Sequence, residues 1–258
     1  MDYLEPMTAA VRAAANIYRS AKNDLHIEVK GEDKNNLVTA YDKQIQDFLY
    51  KELSAAFHGC AFLGEEGGGK IEAPMGLCFI IDPIDGTTNF IRNFEHSAIS
   101  VGLAVDRKMV AGVVYDVDKD NLYAAQRGCG ATLNGRTIHV NDSDLDHSLL
   151  LFGSCPYERE LAHRTFQMVE KAYTRVLEIR RTGSAALDIC YVASGKADLY
   201  FELILRPWDC AAAIVIVEEA GGVIRTTENQ PMPIDQIVGV RCGNGENLAE
   251  FDALVQNL

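Results

Sequence analysis

The 258-residue sequence has no run approaching ~18 consecutive apolar residues, which excludes a membrane-spanning helix. Basic residues are scarce. The chain has 24 Lys and Arg against 37 Asp and Glu, a formal net charge of −13. Binding along a nucleic-acid backbone needs basic stripes, so nucleic acid is not expected as a partner. There is no CxxC, HxH or HExxH pattern, and the seven cysteines and six histidines are scattered. That excludes a sequence-evident zinc centre or disulfide framework. The thiols read as reduced and mostly buried, as in a cytoplasmic protein. Residues 1–20 carry acids early and lack the basic-then-apolar order of a signal peptide. No repeat, low-complexity tract or Pro/Ser-rich linker divides the chain. Residues 1–258 therefore read as one domain, with an α+β half (1–145) and an α/β half (146–258).

Hydrophobic spacing supplies the elements. Leu4, Met7, Val11, Ala14, Ala15 and Tyr18 recur at helical intervals and predict a helix over 3–21. A polar stretch over 26–36 follows. A second helix is expected over 39–57, with Ile45, Phe48, Leu49 and Leu53 on one face. Thr39 and Asp42 stand at the spacing of a capping box. From residue 60 the period shortens. Ala61–Leu63 is a short apolar run before Gly64, and Gly67–Gly69 read as a flexible loop. Leu77–Ile81 is a buried-strand pattern that should stop at Asp82. The runs at 97–105, 109–115, 121–126 and 132–140 predict an antiparallel meander. Later segments alternate: strands near 148–153, 175–180, 198–203, 223–224 and 237–241, with helices over 158–173, 184–194 and 209–220 and at the C-terminus. This order implies layered sheets and helices rather than a barrel.

The acids fall in telling places. Asp82 and Asp85 follow an apolar strand, Glu65 and Glu66 end another, and Asp209 opens an apolar helix. Carboxylates beside apolar strands are costly unless paired or bound to cations. An all-oxygen ligand set suits Mg²⁺, with Mn²⁺ also open. Read singly, each acid has a plainer explanation. Asp42 reads as a helix cap, Glu66 as a solvated loop acid, and Asp209 equally well as an N-cap. The turn Asp82-Pro83-Ile84-Asp85-Gly86-Thr87-Thr88 stands out, because a turn does not need two acids directly after a core strand. Gly86, Thr87 and Thr88 add the backbone N–H groups and hydroxyls that a phosphate wants.

Gly64-Glu65-Glu66, the run Asp82 to Phe90, Trp208-Asp209 and Glu219-Ala220-Gly221-Gly222 together resemble the inositol monophosphatase family. The segments 37–42, 128–135 and 181–186 also fit, so the resemblance spans essentially the whole chain. It implies a layered αβαβα sandwich of the sugar-phosphatase type, of mixed α+β and α/β character, in a homodimer. It implies Mg²⁺-dependent, lithium-sensitive hydrolysis of small phosphate monoesters, with two or three Mg²⁺ per site. By motif position, Glu65, Asp82 and the Ile84 carbonyl would hold one metal, and Asp82, Asp85 and Asp209 a second. A weaker third would sit near Glu65. Asp42 and Thr87 would orient the attacking water, and Gly86 and Thr87 amides, with Asp85 and Thr88 beside them, would meet the phosphate ester. Glu202 falls where the family contacts polyol hydroxyls, with Gly183, Ser184, Ala185 and Ser154 on the same side. Arg206 would pair with Glu202 or reach a second anionic group.

Three departures from the family pattern, Phe79, Phe94-Glu95 and Arg206, read as changes in substrate fit. Inositol 1-phosphate is the leading substrate expectation. Fructose 1,6-bisphosphate, histidinol phosphate and dinucleotide phosphates fit the same core. A regulatory binding role with the transcription and ribosome machinery, as in some bacterial relatives, is the reading from another class.

Overall fold

The structure is a computed structural model that describes residues 2–21, 27–29, 37–67, 71–256 and 258. Helix α1 (Leu4–Ala21) forms where the periodicity predicts it and buries Met7, Val11, Ala14, Ala15 and Tyr18. Two three-residue strands, β1 (Ile27–Val29) and β2 (Leu37–Thr39), pair antiparallel within and just after the stretch read as polar. The rest of that stretch, and most of the Gly67–Gly69 loop, lie outside the described residues. Helix α2 (Ala40–Ala56) buries Asp42, Ile45, Gln46, Leu49 and Leu53.

A seven-stranded sheet follows in chain order: β3 (Ala61–Gly64), β4 (Leu77–Asp85), β5 (Ala98–Val105), β6 (Lys108–Asp116), β7 (Asn121–Gln126), β8 (Ala131–Leu133) and β9 (Arg136–Thr137). The β3–β4 pair is parallel and the remainder is the expected antiparallel meander. Two expectations change. Strand β4 does not stop at Ile81 but runs through Pro83 to Asp85, with its register against β5 shifting between Asp82 and Asp85. Pro83 cannot donate to a ladder, and the irregularity accommodates it. The single strand expected over 132–140 splits at Asn134-Gly135. Both residues have left-handed backbone, φ 50° and 77°, as a tight hairpin turn requires.

Helix α3 (Thr87–Ile91) links β4 to β5. The second sheet comprises β10 (Leu149–Phe152), β11 (Glu178–Arg180), β12 (Leu199–Leu205), β13 (Val223–Thr226) and β14 (Val238–Gly243), in spatial order β11-β10-β12-β14-β13. Helix α4 (Ala162–Tyr173) starts four residues later than expected, because residues 159–161 form a tighter 3₁₀ turn. Helices α5 (Ala185–Ala193), α6 (Pro207–Glu219) and α7 (Gly245–Val255) complete the chain.

These elements stack in five layers. Strand residues alternate between faces. Phe79 and Ile81 of β4 thus pack against α1 and α2 with Tyr18 and Leu49. Cys78 and Ile80 face the other way, toward α5 and α6. On the far side of those helices lie Leu151, Tyr200 and Cys242 of the second sheet. That sheet's outer face, with Leu150, Phe152 and Phe201, is covered by Met168 of α4 and Phe251 of α7. Helix α6 is apolar all round because both flanks are covered. Each of Ile214, Val215, Ile216 and Val217 contributes about 1.5–3 kcal/mol by burial. Gly102 and Gly112 stand opposite each other on β5 and β6. A Cβ on Gly112 would lie 2.1 Å from the Ala212 carbonyl oxygen, so bare backbone here lets α6 settle onto the sheet. No described helix is long and apolar enough to cross a membrane. All seven cysteines are free. Five are buried, Cys60 is half-buried and Cys129 is exposed.

Candidate active site

The ends of β3 and β4, the start of α6 and the C-terminal ends of the parallel strands β10 and β12 open into one cavity of about 370 Å³. Glu65, Asp82, Ile84, Asp85, Gly86, Thr87, Thr88, Gly183, Ser184, Ala185, Glu202, Arg206 and Asp209 all line it. The structure therefore brings together almost every residue singled out in the sequence. Two lie elsewhere. Ser154 is not on the wall, although its neighbours Gly153 and Cys155 are. Asp42, in the first turn of α2, is 1 % exposed and sits behind the wall, where its charge still acts on Asp82.

The backbone holds the acids in place. Asp82 Oδ1 accepts from the Ile84 N–H at 3.0 Å, which closes the Asp-Pro-Ile turn on itself. The Thr87 hydroxyl donates to the Ile84 carbonyl at 3.2 Å. Gly86 carries the left-handed backbone (φ 84°) that starts α3. Asp85 Oδ2 accepts from the Ser184 hydroxyl and from the Ala186 N–H at 2.9 Å, which ties the first sheet to α5. Asp209 is not the N-cap of α6. It is the third helical residue, and its Oδ2 accepts from the N–H of Arg206, the actual cap, at 2.7 Å. Glu66 is not a solvated loop acid. It is 8 % exposed, and the Gln46 side chain clamps its backbone, accepting from the Glu66 N–H at 2.9 Å and donating to the Glu66 carbonyl at 2.7 Å. Gln46 thereby sets the peptide that follows Glu65. Its signal in the sequence was a polar residue on the apolar face of α2.

Electrostatics set this cluster apart. Burial, then the charges of Glu65, Asp85, Asp209 and Asp42, push the Asp82 carboxyl well above the ordinary range. Burial pushes Asp85 up to about 7, with the Ser184 and Ala186 hydrogen bonds opposing. Asp209 is raised by burial and by Asp85 and Glu65, against the Arg206 backbone bond. Buried carboxylates that raise one another in this way call for a cation. Among the described residues no three His, Cys, Asp or Glu side chains form a ready metal cage. The donors are carboxylate and carbonyl oxygens throughout, a set that fits Mg²⁺.

The opposite wall is different. Glu202 accepts from the Cys155 N–H at 2.9 Å and from the Tyr200 hydroxyl at 2.7 Å, and the positive charge acting on it is that of Arg181. It does not take Arg206 as its partner. The Arg206 guanidinium lies over the Tyr157 ring, 5.4 Å from its centroid, and its charge acts on Asp209. Burial raises the Glu202 carboxyl. Asp188 also lines the cavity. It accepts from the Thr182 hydroxyl and lies 3.6 Å from the Nε2 of buried His96. Asp188, Tyr200, Tyr157 and Arg159 had no distinguishing pattern in the sequence, and Arg181 appeared there only as the first residue of the 181–186 segment. Of the three departures, only Arg206 reaches the cavity. Phe79 packs in the core against Phe57 and Phe62, and Phe94 is 66 % exposed away from the wall.

Five alternating layers with carboxylates gathered at strand ends are the architecture of a sugar-phosphatase-like protein. The chain belongs to the inositol monophosphatase family, whose sequence model matches residues 2–257. It is 37 % identical over 220 residues to the Nus factor SuhB of Xylella fastidiosa, covering 84 % of this chain and 79 % of that one. It is 36 % identical over 245 residues to inositol monophosphatase 1 of Bos taurus, covering 91 % and 86 %. The crystal structure of the extragenic suppressor protein SuhB from Bartonella henselae superposes with a TM-score of 0.90 at 30 % identity, over 98 % of each chain.

Proposed function

We propose that the protein is a Mg²⁺-dependent phosphatase of small polyol phosphate esters, with inositol 1-phosphate the leading substrate. One observation carries the reading: Glu65, Asp82, Asp85 and Asp209, from three separate segments, share one cavity with the Gly86-Thr87 turn. Glu65, Asp82 and the Ile84 carbonyl would hold one Mg²⁺, and Asp82, Asp85 and Asp209 another. Bound there, the ions would offset the charge of acids and phosphate and make water a nucleophile near neutral pH.

The chain's own groups do the rest. Thr87 Oγ1, its proton engaged by the Ile84 carbonyl, keeps lone pairs with which to orient the attacking water. Asp42 contributes its charge to the acid cluster through Asp82. The Gly86 and Thr87 amides receive the phosphate. Glu202 and the 183–185 segment meet the alcohol portion of the ester. The bovine relative's name, inositol monophosphatase 1, supports this choice of substrate.

The test is phosphate release from inositol 1-phosphate, fructose 1,6-bisphosphate, adenosine bisphosphate, histidinol phosphate and NADP. Activity lost in EDTA and restored by Mg²⁺ is expected, with lithium inhibiting. Full activity after exhaustive chelation overturns the reading. A second reading, a regulatory partner in the transcription machinery, is favoured by the Nus factor name of the Xylella relative. A pull-down in Mg²⁺ and in metal-free buffer separates it from catalysis.

A further inference from the structure

Glu202 sits in a built seat. Strands β10 and β12 run parallel with Phe152 opposite Phe201, and the Gly153 N–H continues the ladder by donating to the Phe201 carbonyl at 2.9 Å. The next step along both strands sets Gly153 directly against the Glu202 carboxylate. A Cβ on Gly153 would lie 1.9 Å from the Glu202 Cδ, so only glycine leaves room for it. Cys155 takes a left-handed backbone (φ 45°), uncommon outside glycine, and its N–H donates to Glu202 Oε1 at 2.9 Å. Tyr200, 1 % exposed, donates its hydroxyl to Oε2 at 2.7 Å.

A carboxylate can accept about four hydrogen bonds. The seat supplies two, one to each oxygen. Because Glu202 lines the cavity, the remaining acceptor positions are open to its occupant. Hydroxyl groups are neutral donors that answer this acceptor without adding charge. A second phosphate would meet repulsion there.

We propose that Tyr200 is a positioning residue for substrate selection: its hydroxyl, with the Cys155 amide and the bare Gly153, holds Glu202 as the acceptor for hydroxyls of a polyol ester. The inference rests on the phosphatase reading above and adds the residue that enforces its selectivity. Tyr200 acts by holding the Glu202 carboxylate, so its effect on selectivity should disappear when an apolar side chain that accepts nothing stands at 202.

The experiment compares kcat/KM for inositol 1-phosphate and for p-nitrophenyl phosphate, which has no hydroxyls. It uses the wild-type chain, Tyr200→Phe, Glu202→Leu, which removes every acceptor at that side chain, and the double variant. Tyr200→Phe should lower the ratio of the two kcat/KM values about tenfold, mainly through KM for the polyol ester. The double variant should be no worse than Glu202→Leu alone, the non-additivity expected of two residues in one chain of contacts. Equal losses on both esters, or additive losses in the double variant, overturn the role of Tyr200 while leaving the phosphatase reading intact. A wild-type chain that hydrolyses neither ester in Mg²⁺ overturns the phosphatase reading, and this inference with it.

Discussion

Substituting Asp209 by Asn separates a helix-start role from a metal role. The Asn side-chain oxygen can still accept the 2.7 Å bond from the Arg206 N–H. Losing the negative charge near the first turn of α6 costs about 0.5 kcal/mol. The opposing effect is larger. Asp209 is buried among like charges, and its carboxyl is raised by burial and by Asp85 and Glu65. Each unit of such a shift corresponds to about 1.4 kcal/mol of penalty on the ionised form, and Asn removes that penalty. The metal-free variant should therefore melt at or above the wild-type temperature, at about 2–4 °C per kcal/mol for a chain of this size. In Mg²⁺ the order reverses. Metal at a hundredfold excess over its Kd stabilises the wild type by about 2.7 kcal/mol, or about 5–10 °C. Asp209→Asn should lose most of that shift and at least about a hundredfold in turnover. Differential scanning fluorimetry with EDTA or Mg²⁺, run beside phosphate release, reads both. Near-normal turnover with a normal Mg²⁺ shift would return Asp209 to a helix-start role and refute the reasoning.

The metal-free protein should lose stability as pH rises from about 4 to 7. Asp85, raised to about 7 from an unfolded value of 3.8, binds its proton more tightly folded than unfolded across that window. Saturating Mg²⁺ should flatten or invert the trend, because metal binds the ionised form, and melting curves across pH with and without chelator check this. Thr87→Ala should lower kcat at least about tenfold with KM little changed, since its hydroxyl serves the transition state rather than binding. A pure KM effect in steady-state kinetics would make Thr87 a phosphate ligand instead. Arg225 and Arg241 face each other across β13 and β14, and both pair with Asp252 of α7. Asp252→Ala should cost about 1–3 kcal/mol in urea unfolding with little change in turnover, because two partly buried guanidinium groups then oppose each other unpaired.

Much of the architecture follows from local pattern. The helical spacing of 4–21 and 40–56, the short β-branched runs of the meander and the Gly-Glu-Glu and Asp-Pro-Ile-Asp-Gly-Thr-Thr segments act over a few residues. A periodicity of 3.6 or 2 is readable without a partner, and so are the acids that stand against it. The acids proposed to hold the metals were legible too, because they lie in short distinctive runs.

Packing decided the rest. Only tertiary structure carried β4 through Pro83, because the neighbouring strand β5 supplied a partner beyond the irregularity. Only the contact with Gln46 turned Glu66 from a plausible solvated acid into a buried one. Asp209 comes to Asp82 because α6 settles over Gly102 and Gly112, and Glu202 joins the same cavity because β12 inserts between β10 and β14. Tyr200, Cys155 and Gly153 carry no local signature of their task, since a hydrogen bond between residues 47 apart leaves no spacing to read. Local pattern alone picked out the carboxylates and the Gly-Thr-Thr turn proposed to hold a cation and a phosphate. The three-dimensional arrangement decided which of them face the same 370 Å³ cavity and which stand behind its wall, because burial and charge act through space rather than along the chain.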